Sequence, residues 1–169
     1  MVNELMREHR AVQPTRVERK LGPEEVIVSK TDAKGLITYA NPVFCRIAGF
    51  SLPELIGAPH NIVRHPDMPR CVFKFLWDRI STGHEVFAYV KNMARNGDYY
   101  WVLAHVTPTY NSNREIIGYH SNRRCPETSA IKTLEPIYQS LCDIEQANDP
   151  RTGIEKSFGT LVNLLETNN

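Results

Sequence analysis

Residues 59–69 read Pro-His-Asn-Ile-Val-Arg-His-Pro-Asp-Met-Pro. Three prolines in eleven residues forbid a regular helix, because each fixes its own φ and restricts the residue before it. The same run carries two histidines, an arginine and an aspartate, with apolar segments on both sides. A stiff polar insertion between core elements is either a solvated surface turn or a segment with a specific task. The residue types alone leave both open.

What surrounds that run narrows the fold. Residues 26–41 alternate like two short strands about Asp32-Ala-Lys-Gly35, a turn signal in which Gly35 is free to take a positive φ. Asn41-Pro42 then opens a helix, an N-cap followed by a proline suited to the first helical position, with Phe44, Ile47 and Ala48 facing the core and Gly49 ending it. Ser51-Leu-Pro-Glu54 repeats the pattern as a single capped turn. After the proline-rich run, residues 70–80 are predicted as an amphipathic helix that places Val72, Phe73, Leu76, Trp77 and Ile80 on one face. Three strands follow, at residues 85–93, 99–110 and 115–124, the first two joined by the Asn96-Gly97 turn. Two strands, three or four short helices and three strands predict an α+β domain: a five-stranded antiparallel sheet with its helices gathered on one face.

The chain of 169 residues divides into a leader or cap at residues 1–23, the domain at 24–126 and a helical extension at 127–169. The leader, with weak periodicity in Val2, Leu5 and Met6, fits a helix or a disordered tail equally. In the extension, Ile131, Leu134, Ile137, Tyr138 and Leu141 form an apolar stripe that either folds back on the domain or serves as an output helix or dimer seam. A net charge of +1 gives no case for electrostatic binding to nucleic acid or to an anionic membrane. No apolar run approaches a membrane span and no secretory leader is evident, so the chain is expected in the cytoplasm. Cys45, Cys71, Cys125 and Cys142 lie far apart without a Cys-x-x-Cys pair, as free thiols do. No catalytic triad, carboxylate pair, phosphate loop or metal cluster is visible, which argues against an enzyme.

The strand–helix–strand order, with Gly35-Leu-Ile-Thr-Tyr-Ala-Asn-Pro-Val-Phe44, Gly49-Phe-Ser51 and Glu54-Leu-Ile-Gly57, resembles a PAS sensory domain. The run at residues 59–69, and the stretch Val90-Lys-Asn-Met-Ala-Arg-Asn-Gly-Asp-Tyr-Tyr-Trp-Val102, are similar to PAS domains of the aerotaxis-receptor type. That resemblance implies a redox or oxygen sensor that binds FAD and signals, likewise by implication, to a chemoreceptor or histidine kinase complex. By matching position it implies FAD contacts at Asn41, Arg64, His65, Asp67, Trp77 and Asn92. The residue chemistry agrees for several of them. An Asn92 amide can donate and accept along a flavin's polar edge, Arg64 is a fork-shaped donor for a pyrophosphate, and Trp77 can stack or simply pack in the core. His65, held extended before Pro66, is either a ligand or a structural pin. The chain also departs from the flavin-binding pattern. Val86 stands where a tryptophan is usual, Ala88 where a glycine is usual, and His105 at the place of a pocket-facing asparagine. These changes keep two alternatives open: another ligand, haem above all with His105, His84 or His120 as axial ligand, or a ligand-free interaction module. A homodimer is expected through the flanking helices or the sheet face.

Overall fold

The computed structural model describes residues 2–167; Met1, Asn168 and Asn169, the ends of the predicted leader and extension, lie outside them. Strands β1 (Ile27–Asp32), β2 (Ile37–Ala40), β3 (Val86–Met93), β4 (Tyr99–Tyr110) and β5 (Ile116–Arg124) form one antiparallel sheet in the order β2-β1-β5-β4-β3. The five-stranded α+β arrangement expected from the sequence is therefore the one observed.

Helices α2 (Pro42–Ala48), α3 (Leu52–Leu55) and α4 (Arg70–Ile80) sit between β2 and β3, with one 3-10 turn at His60–Val63. Their starts follow the local cap chemistry. The Asn41 side chain accepts from the Phe44 N–H at 3.0 Å, and Ser51 and Glu54 form a reciprocal capping box. The 3-10 turn and the bends around it are what the three prolines of residues 59–69 permit in place of a regular helix.

The leader contains a helix, α1 (Val2–Ala11). Beyond α1 it runs beside the start of β4, where the Thr15 N–H donates to Gly97 O at 2.8 Å and the Arg19 N–H to Tyr99 O at 2.7 Å. Gly97 permits this approach: its φ is 93°, and a Cβ there would stand 2.3 Å from Gln13 O.

After β5 come α5 (Thr128–Gln146) and α6 (Pro150–Thr167), with Pro136 inside α5. The α5 stripe docks on its own sheet: Tyr138 packs on Trp101 with ring centroids 5.9 Å apart. The Tyr138 hydroxyl donates to Tyr89 O at 2.8 Å, which covers part of the β3 edge. From there α5 passes over that edge to reach α4, and α6 packs on both. Most buried apolar residues belong to one core between the helices and the sheet's inner face, lined by residues such as Ile27, Phe44, Ile62, Val90, Tyr100 and Val102.

Candidate functional site

Strand alternation decides which side chains the helices cover. Val86, Ala88, Val90 and Asn92 of β3, Ala104 and Val106 of β4, and Tyr119, Ser121 and Arg123 of β5 point inward, in register with Ser29 and Thr31 of β1. Between this inner face and α4 the structure leaves a cavity of about 190 Å³. Phe73, Leu76, Trp77 and Ile80 of α4, with Val90, Ala104 and Val106, make its walls apolar. Ser29, Thr31, Ser121 and Arg123 make one side polar, and Asn92 and Arg64 stand toward another. Trp77 lines the cavity and is 39% exposed, its ring standing against Gly35 and perpendicular to the Tyr119 ring at 5.4 Å.

Several of the polar groups have no protein partner. Thr31 Oγ1 and the Nε and Nη1 atoms of Arg123 are buried without a hydrogen bond among the described residues. Asn92 is buried and its amide makes no hydrogen bond among them. His60 lines the cavity and approaches Ser29 Oγ through Nε2 at 3.1 Å. Burial, and then the nearby Arg123 charge, depress its pKa to about 3, so the ring is neutral. Burial also lowers Arg123 to about 10, which still leaves it cationic at neutral pH.

Of the seven residues singled out from sequence, Arg64, Trp77 and Asn92 line the cavity. Arg64 lies over the Phe73 ring at 4.8 Å, donates to Met68 O at 3.0 Å, and pairs by backbone with Asn92. The other four do not touch the cavity. Asn41 is consumed in holding α2 to β1, its amide bonded to Phe44 N, Val28 N and Val26 O. His65 is 2% exposed; its Nδ1 accepts from Asp67 N at 3.1 Å and its ring meets Tyr99 edge-on at 6.3 Å. Asp67 pairs with Lys91 at 3.1 Å. These contacts fix the proline-rich run from which Arg64 lines the cavity.

The structure corrects the placement of His105. Alternation turns it to the outer face, stacked on Phe87 at 4.1 Å and hydrogen-bonded to Glu85 at 2.6 Å, while its neighbours Ala104 and Val106 face inward. Nor do the other candidate haem ligands enter: His84 contacts Thr82 and His120 contacts Asn122. Val86 does face inward, but it packs with Ile80, Val106 and Tyr119 beside the cavity. Sequence reasoning passed over Arg123, Ser29 and His60. The signal that would have found Arg123 is its place two residues beyond Ser121 and four beyond Tyr119 in one strand, which puts all three on one face. Among the described residues no cluster of three or more His, Cys, Asp or Glu is arranged for a metal, and no helix is long and apolar enough to cross a membrane.

Comparison with known proteins places this geometry in context. The model of the PAS fold matches residues 37–122. The aerotaxis receptor of Escherichia coli (strain K12) is 39% identical over 127 residues, 75% of this chain and 25% of the receptor. A nitrogen fixation regulatory protein of Klebsiella pneumoniae is 34% identical over 110 residues, 65% of this chain and 22% of that protein. The chain thus spans about a quarter of the length of these relatives. Among solved structures, the light state of the blue-light photoreceptor Aureochrome1 LOV aligns with a TM-score of 0.58 at 25% identity, over 64% of this chain and 87% of that one. An RNA-binding light-oxygen-voltage receptor shares the fold over 86% of this chain and 36% of its own, with a TM-score of 0.56 at 16% identity.

Proposed function

This chain belongs to the PAS family, and on that premise we propose that it is a sensor module that holds FAD between α4 and the inner sheet face and reports its state by protein–protein contact. The observation that carries the proposal is the division of the cavity into apolar walls and a polar side where Arg123 Nε and Nη1 and Thr31 Oγ1 have no partner among the described residues, with Asn92 also lining it. A planar ring system with a heteroatom edge matches that division. At about 190 Å³ the cavity is smaller than the roughly 300–1,000 Å³ of most whole-ligand pockets, so it suits the ring end of a larger ligand whose remainder lies at the mouth.

In this proposal the Asn92 amide donates to and accepts from the ring's polar edge. Arg64 meets the pyrophosphate at the mouth, and Trp77 packs on the ligand there. Asn41, His65 and Asp67 act as positioning residues through α2 and the proline-rich run. When bound, a flavin supplies the redox chemistry of the sensor; the protein binds, orients and shields it. Haem is less well supported, since the one imidazole lining the cavity among the described residues, His60, already has its Nε2 against Ser29. The printed names of the relatives, a receptor for aerotaxis and a regulator of nitrogen fixation, favour signal reception over catalysis. A cytoplasmic homodimer that contacts a chemoreceptor or histidine kinase complex completes the proposal.

The test is the visible spectrum of the purified protein, followed by FAD titration. Flavin bands in the near-ultraviolet and blue, and a loss of affinity in Asn92→Ala, are expected. Two lost hydrogen bonds amount to about 2 kcal/mol, or roughly thirtyfold in Kd. A Soret band, or a colourless protein that takes up no added FAD, overturns the proposal.

A further inference from the structure

Arg123 is 2% exposed, yet two of its three guanidinium nitrogens, Nε and Nη1, have no partner among the described residues. The third, Nη2, donates to Ser29 Oγ, and the guanidinium carbon lies 4.3 Å over the Phe44 ring. No carboxylate among the described residues pairs with it. Burying a charge is costly unless its donors are met, and one hydrogen bond with one cation–π contact offsets only part of that cost. A methionine, though shorter, would keep the apolar packing of the side-chain stem with no donors left over. Placing an arginine here, against a cavity with room beside it, makes sense if something in the cavity accepts the remaining hydrogen bonds.

We propose that Arg123 is the specificity-determining residue of the cavity: its free Nε–H and Nη1–H bind an anionic or electron-rich acceptor edge of a planar ligand. The cavity thereby selects ligands carrying such an edge and rejects cationic and purely hydrocarbon ones. This deepens the FAD proposal and rests on it, since a flavin ring presents acceptors of that kind in addition to those facing Asn92. Ser29 is the positioning residue, its hydroxyl between Arg123 Nη2 and His60 Nε2.

FAD titration of the wild-type protein, Arg123→Met and Arg123→Lys, read by quenching of flavin fluorescence, tests the inference together with melting of each protein before FAD is added. The expected result is at least a tenfold loss of affinity in Arg123→Met, partial recovery in Arg123→Lys, and a melting temperature without FAD that is unchanged or higher in the methionine variant. Equal affinity in wild type and Arg123→Met overturns the inference and leaves the FAD proposal standing. A melting temperature without FAD that falls in both variants shows a structural arginine and also overturns it. If the wild-type protein takes up no FAD, the FAD proposal fails by itself. The melting comparison then decides alone: a rise in Arg123→Met supports an acceptor-binding site, and a fall overturns it.

Discussion

His65 shows how one residue of the proline-rich run acts. Its ring is buried against Tyr99 and accepts a hydrogen bond from the Asp67 backbone. Burial, and then the nearby Lys91 charge, lower its pKa to about 4, the Asp67 carboxylate opposing them. His60 is depressed in the same direction. In the unfolded chain both rings take up a proton near the ordinary histidine value of 6.5. The unfolded state therefore binds more protons below that pH, and stability declines as pH falls from about 6.5 toward 4. Each histidine adds at most about 1.4 kcal/mol per pH unit. Urea unfolding across this range should show the decline, and His60→Gln should flatten it; an unchanged slope would sink the assignment. Arg64→Ala should lose a charge-assisted contact of about 1.5–3 kcal/mol, seen as lower flavin content after gel filtration. His105→Asn, on the outer face, should leave flavin content unchanged. Arg64 and Asn92 were legible from sequence because the local runs that carry them resemble a known pattern. Arg123 was not, because an arginine near a strand end reads as a surface residue until the register to Ser29 and the cover of α2 are known.

At the scale of elements, α4 is the most instructive. Its bounds at Arg70–Ile80 were legible because its apolar stripe and the preceding proline are local signals. Its cap was not. Pro69 offers no side-chain acceptor, so the first N–H groups of α4 need another partner. Glu145 of α5 supplies it from 75 positions away, accepting from Arg70 N and Arg70 Nε at 3.0 Å each. The same carboxylate accepts from Cys71 N at 2.9 Å and Ser157 Oγ at 3.0 Å. Burial alone would raise the Glu145 pKa, but these hydrogen bonds together outweigh it and hold the group below its ordinary value of 4.5. The stability this provides is present above that pH and is lost as pH falls through the depressed pKa. Glu145→Ala should cost about 2–4 kcal/mol, since it leaves the Arg70 and Cys71 N–H groups at the start of α4 without their acceptor. Chemical denaturation of the variant would measure it, and a cost below roughly 0.5 kcal/mol, the usual range for surface substitutions, would show that water replaces the carboxylate. Because α4 also forms one wall of the cavity, the same bond ties the cavity wall to the C-terminal helices.

For the whole molecule, the consequence is that the C-terminal helices are part of the domain's own structure. The α5 stripe had two destinations consistent with its sequence, the home sheet or a second chain, and periodicity cannot choose between them because both bury the same face. In the structure Tyr138 is 7% exposed and Leu141 1%, Tyr138 covers Trp101, and its hydroxyl occupies the open carbonyl of Tyr89 on the β3 edge. Removing residues 127–169 would therefore expose Trp101, uncover the β3 edge and leave α4 without Glu145. Each large apolar side chain brought into water costs about 1.5–3 kcal/mol, and a bare strand edge is a template for further pairing. The truncated chain is expected to melt well below the full chain and to aggregate with concentration. Sedimentation of both proteins over the same concentration range separates the possibilities. A truncated domain that stays monodisperse and melts with the full chain would show that α5 contributes little to its own sheet. A full chain that remains monomeric at high concentration would remove the proposed homodimer while leaving this intramolecular role intact. A dimeric full chain has to associate through surface other than the α5 stripe, because that stripe is already committed to β3 and β4.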